Sequence, residues 1–128
     1  ARSQPQGSKS MARDPAAYLV DALEACQAIA EVLSDVDLET YRSKRSIRSS
    51  VEREFILIGE ALRRLESVSP KLFSRIAGAR LAIDFRNLLA HDYSAVDDDV
   101  VFGVAHSDLL ILKRDIEALL LVDEGSTP

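Results

Sequence analysis

Apolar residues recur at spacings of three and four along most of the chain and nowhere alternate, so the sequence predicts helices and no strands. The first stripe is Leu19, Ala22, Leu23, Cys26, Ile29, Ala30 and Leu33. Asp14 and Pro15 open it, one as a cap acceptor and the other at a position that needs no amide hydrogen. Ser34-Asp35-Val36-Asp37 ends it, and the polar stretch from Asp37 to Arg45 predicts a short turn of helix carrying Tyr41. A long helix is predicted from Ser46 to Glu66, where Ile47, Val51, Phe55, Ile58, Leu62 and Leu65 form a bundle seam. Gly59 interrupts that helix at a cost of about 1 kcal/mol relative to Ala, which predicts that something packs closely against it.

Ser69-Pro70 starts a short helix that Gly78 stops. Arg80 to about Ala90 is helical again, with Leu81, Ile83, Phe85, Leu88 and Leu89 as its apolar content. The segment from Ser94 to Asp99 is predicted to be a loop whose three aspartates suit the positive end of a last helix, Val100 to Leu121. That helix is apolar nearly all round, and in so small a bundle this implies that a second copy covers its outer face. The predicted fold is all-α, an up-and-down four-helix bundle with one or two additional short helices.

A chain of 128 residues fits one domain. Residues 1–10 lack a hydrophobic period and precede the only methionine, Met11; they read as an expression-tag remnant, leaving 11–123 as the domain and 124–128 as a flexible tail. The single cysteine, Cys26, allows no intrachain disulfide and lies in the first apolar stripe, as a small core residue would. No apolar run is long enough for a bilayer and no signal-peptide core is present, so the cytoplasm is the expected compartment.

The net charge of −5 at first argues against a nucleic-acid partner, but its distribution changes that picture. Residues 1–41 carry −4, residues 42–86 carry +6 and residues 87–128 carry −7. A polyanion responds to the local field, so the middle third could carry a phosphate footprint; a helix with one solvated basic face is the alternative. Arg45, Arg48 and Arg53 are the candidates in this region. Arg53 and Glu60, seven residues apart on one helix face, are either surface charges or the border of a site.

Chemistry concentrates in Arg86-Asn87-Leu88-Leu89-Ala90-His91-Asp92-Tyr93. There is no Gly-rich phosphate loop and no nucleophile elbow, and one cysteine with two histidines fifteen residues apart does not make a zinc site. Neither histidine has a glutamate three residues before it, which excludes the di-iron carboxylate pattern. Any catalysis is therefore expected to run without metal or cofactor. A histidine titrating near neutrality moves protons, and an arginine holds a phosphate bidentately; together they suffice for attack of an RNA 2′-OH on its own phosphate. Arg86 and His91 lie about 140° apart on a straight helix, whereas Arg86 and Tyr93 nearly coincide. Either the helix breaks near His91 or two subunits share the site. Arg and His near a helix end are also favourable through the dipole alone, and His106 reads as a surface residue.

Arg86-x4-His91-x-Tyr93 resembles the Arg-x(4–6)-His signature of HEPN domains, specifically the HepT-like toxins paired with MNT-type nucleotidyltransferase antitoxins. Val51 to Ala61 is similar to that family's mid-chain helix, and Phe85 to Tyr93 followed by Val96-Asp97 to its active-site segment. The resemblance implies a metal-independent RNA endonuclease toxin of a type II or VII-like pair, acting on tRNA or mRNA. It implies a homodimer in which Arg86 and His91 of both subunits line one cleft and Asn87 helps hold phosphate. It also implies that the cognate nucleotidyltransferase neutralises the toxin by transferring AMP to Tyr93. A non-catalytic HEPN nucleotide-binding protein, or a scaffold for a nucleotidyltransferase, is the alternative. Asp84 departs from the family's small or apolar residue, and a carboxylate there could pair with Arg86.

Overall fold

A computed structural model describes residues 13–92 and 96–125. The expectations for residues 1–10 and for Tyr93 fall outside this range. All regular structure among the described residues is helical: α1 (Pro15–Val32), α2 (Leu38–Ser43), α3 (Arg45–Val68), α4 (Pro70–Phe73), α5 (Ala79–His91), α6 (Asp98–His106) and α7 (Asp108–Gly125). The all-α bundle read from the periodicity is the fold observed. No described helix is long and apolar enough to cross a membrane.

The starts of the helices follow from local chemistry. Asp14 accepts the Ala16 amide hydrogen ahead of Pro15, Asp37 caps α2 at Thr40, and Ser69 caps α4 at Leu72. After α1, Asp35 takes the left-handed conformation (φ 61°) that aspartate tolerates better than most residues, and the chain turns.

Helix α3 is the centre of the molecule. It packs against α1 and α5, and α1 also packs against α7. Its seam residues Val51, Phe55, Ile58, Leu62 and Leu65 are buried together with Leu19, Cys26 and Ile29 of α1, while Ile47 is only partly covered. Tyr41 is fully buried and its ring meets Phe102 at 5.4 Å between centroids, which docks α2 onto α6. The same pair of helices is tied outside by Arg42, which donates from Nε to Asp99 at 2.8 Å and from Nη2 to the other carboxylate oxygen.

The last predicted helix is two helices. Its first part begins earlier than Val100, at Asp98, because Asp97 caps it by accepting the Asp99 amide hydrogen at 2.9 Å. It then breaks at Ser107, whose hydroxyl donates to the Gly103 carbonyl at 2.8 Å and lies 3.3 Å from an Asp108 carboxylate oxygen. A serine that satisfies a carbonyl of the preceding turn competes with the helix ladder, and apolar periodicity does not register that competition. Helix α7 then runs on through Gly125, past the point where the sequence placed a tail. Leu109, Leu112 and Ile116 of α7 are buried, whereas Leu110 and Ile111 are more than half exposed. Within one chain the apolar circumference of this helix is therefore only half covered. A groove of about 620 Å³ runs between α5 and α7, floored by Phe55 and Ile58 and walled by Leu81, Leu88 and Ile111.

Candidate active site

The row of α5 facing α3 is Ala79, Ala82, Ile83, Arg86 and Leu89, three or four residues apart. An arginine thus occupies a position where the pattern calls for an apolar side chain, while Leu81 and Leu88 face outward. Gly59 is the reason it fits. A Cβ at residue 59 would lie 2.2 Å from the Arg86 Cβ and 2.7 Å from its Cγ, distances no side chain tolerates. The close approach expected from a mid-helix glycine is therefore real, and its occupant is the arginine.

Polar partners hold the other end of the Arg86 side chain. Nη1 donates to the Asn87 Oδ1 at 3.0 Å, and Nη2 donates to the Glu60 Oε2 at 3.2 Å. Nε is buried and finds no hydrogen-bond partner among the described residues. The side chain is 17% exposed and Glu60 36%, so the pair sits at the rim of the α3–α5 contact. Asp84, the carboxylate that departs from the family pattern, is exposed and makes no ion pair with Arg86 among the described residues; Glu60 does.

Helix α5 is unbroken through His91, and the Asp92 amide closes it on the Leu88 carbonyl at 2.9 Å. The helix does not break before His91, so that of the two routes to convergence is closed within one chain. His91 is exposed, about 140° around the axis and about 7.5 Å along it from Arg86. No hydrogen bond joins the two among the described residues. Tyr93 lies outside those residues. Among them no three His, Cys, Asp or Glu side chains group as metal ligands would.

The remaining candidates divide. Arg48 is bound into the fold: it donates to the Tyr41 carbonyl at 3.4 Å and to the Arg42 carbonyl, and lies 3.6 Å from Asp98. Arg45 and Arg53 are exposed and in no ion pair among the described residues. At about 100° per residue they share one face of α3, an arc of about 100°, with the exposed Arg63 and Arg64. Glu60 falls inside this arc. The last two arginines are not singled out by sequence reasoning, although their ten- and eleven-residue offsets from Arg53 were there to be counted.

Residues 22–119 match the ribonuclease HepT-like family. The chain belongs to that family. Three relatives from Methanocaldococcus jannaschii carry the name "Putative RNase". The first is 28% identical over 105 residues, covering 82% of this chain and 95% of the relative. The second is 27% identical over 113 residues (88% and 93%), and the third 28% over 108 residues (84% and 92%). No solved structure gives a significant match. The segment of this HepT-like chain that matches the family spans Gly59, Glu60, Arg86 and His91.

Proposed function

We propose that this HepT-like chain is a metal-independent RNA endonuclease whose Arg86 holds the scissile phosphate and whose His91 moves the protons. The observation that carries the reading is a guanidinium seated on a glycine in the core-facing row of α5, on the helix that also presents an exposed imidazole. His91 takes the proton of the 2′-OH as that oxygen attacks the adjacent phosphorus. The His91 imidazolium then returns that proton to the 5′-oxygen of the next nucleotide as it leaves, and Arg86 stabilises the charge on the non-bridging oxygens. The products are a 2′,3′-cyclic phosphate and a 5′-hydroxyl.

Arg86 and His91 of one chain face apart, so the complete site forms between two copies, each offering one of the pair. The half-covered apolar faces of α5 and α7 supply the surface for such a homodimer. Exposed arginines along α3, Arg45 and Arg53 among them, track the RNA backbone, with Asn87 beside the phosphate. The protein acts in the cytoplasm as the toxin of a toxin–antitoxin pair, and a cognate nucleotidyltransferase silences it by adding AMP to Tyr93. The added phosphate places negative charge where RNA must bind.

The test is incubation of the purified protein with tRNA and mRNA in EDTA, followed by analysis of the ends. New cyclic phosphates are expected, with His91→Ala and Arg86→Ala each lowering the rate by about 10²-fold or more. Cleavage that survives both substitutions overturns the assignment. The separation of Arg86 from His91 within one chain also suits a non-catalytic nucleotide-binding or scaffold protein, and that reading is favoured if no new ends form.

A further inference from the structure

Nothing in the cleavage scheme uses Glu60, yet it is the carboxylate that meets Arg86. At first sight such a pair blocks the site, because a carboxylate occupies donors that phosphate requires. Counting donors resolves this. A guanidinium has five N–H groups, two on each terminal nitrogen and one on Nε. Asn87 takes one from Nη1 and Glu60 one from Nη2. One N–H therefore remains on each terminal nitrogen, and these two are the number a bidentate phosphate contact needs. The side chain's remaining exposure leaves a way in for that phosphate.

Resting on the ribonuclease reading, we infer that Glu60 is the positioning residue for Arg86, holding the guanidinium plane so that its two unused terminal donors face the phosphate before RNA arrives. Helix α3 supplies both halves of the device from adjacent residues: Gly59 receives the Cβ and Cγ of Arg86, and Glu60 holds its Nη2. A free arginine side chain populates many rotamers, and ordering it only on binding would weaken every contact it makes. Groups of this kind are held in productive geometry by neighbours that do not themselves touch the substrate. The Glu60 charge also sits among the arginines of the α3 face, where it would repel a phosphate that strayed from Arg86 onto that spot.

The experiment compares Glu60→Ala and Glu60→Gln, alone and with Arg86→Ala, by steady-state RNA cleavage and by NMR of the arginine Nη–H signals. Glutamine keeps an oxygen that accepts from Nη2. Glu60→Ala is expected to lower kcat by about 10- to 100-fold with KM changed less than about threefold, because misorientation acts on the transition state. Glu60→Gln is expected to recover most of that loss. In the Arg86→Ala background, Glu60→Ala should cost nothing further. The Nη–H signals of Arg86, resolved when rotation about the Cζ–Nη bond is held, should merge in Glu60→Ala and stay resolved in Glu60→Gln. An unchanged or raised kcat in Glu60→Ala, an equal loss in the Arg86→Ala background, or signals that stay resolved in Glu60→Ala each overturn the inference. If wild-type protein and Arg86→Ala leave RNA equally intact, the ribonuclease reading fails, and the NMR comparison alone decides whether Glu60 orients Arg86.

Discussion

Replacing Gly59 by alanine adds one methyl group at the point where the proposed site touches the core. In an open helix position this change is stabilising by about 1 kcal/mol, since alanine is the better helix former. Here the new carbon would lie 2.2 Å from the Arg86 Cβ, and ordinary contact begins at 3.4 Å. The atom in the way belongs to the base of the side chain, so it cannot swing aside. Helix α5 must move out by about 1 Å, and overpacking of this kind costs about 1–3 kcal/mol. The two effects largely offset, leaving Gly59→Ala between neutral and about 2 kcal/mol less stable. Activity has no such compensation, because a displacement of about 1 Å in a catalytic group is worth about 10²-fold in rate. Gly103 in α6 is the control, since nothing lies within 4 Å of a Cβ there. Gly103→Ala should raise stability by about 0.5–1 kcal/mol. The assay is RNA cleavage and thermal unfolding of both variants side by side. A Gly59→Ala protein that cuts RNA at the wild-type rate refutes the idea that this glycine seats the arginine.

Other consequences are open to simple measurement. Leu62 is fully buried in the α3 seam, and Leu62→Ala should cost about 2–5 kcal/mol in chemical denaturation. Burial pushes the Cys26 thiol up to about 12, so a thiol reagent should leave the native protein unlabelled at neutral pH and react fully once it is unfolded. Asp99 is held below the usual carboxylate range, first by its hydrogen bond from Arg42. Its contribution is present above the unfolded value of about 3.9 and is lost as pH falls through the lower folded value. Asp99→Asn should therefore melt below wild type at neutral pH, with the gap closing in acid beneath that value; a gap that persists there would exclude the Arg42 tie as its cause.

Much of the fold can be read from apolar spacing and caps. Asp14-Pro15, the α3 seam and Ser69-Pro70 each specify an element through local rules, and tertiary contacts do not override them. The break at Ser107 is hidden because Leu109, Leu112 and Ile116 continue the buried row across it. The site is legible in a different way. Gly59 signals a close approach, and Arg86 stands out as a cation in an apolar segment, but nothing in one dimension joins them. Only the packing of α3 on α5 brings residues 27 positions apart into contact, and it chooses Glu60 rather than the nearer Asp84 as the partner of Arg86.

The segregation of charge along the chain is partly undone by folding. Asp98 and Asp99 of the acidic last third return onto Arg48 and Arg42. These arginines are neutralised within the fold, so the +6 of the middle third overstates what a polyanion would meet. What survives is ordered rather than large. Arg45, Arg53, Arg63 and Arg64 lie along one exposed face of α3, spread over about 28 Å of helix at 1.5 Å per residue. Phosphate binding scales with the number of contacts made at once, and a row along one helix can be met in register where scattered charges cannot. Because Glu60 falls inside that row and binds Arg86, the single negative charge on this face marks where the row meets α5. Under the proposed function, an RNA strand following the arginines would reach the held guanidinium there, and so acidic a protein would still offer RNA a coherent path.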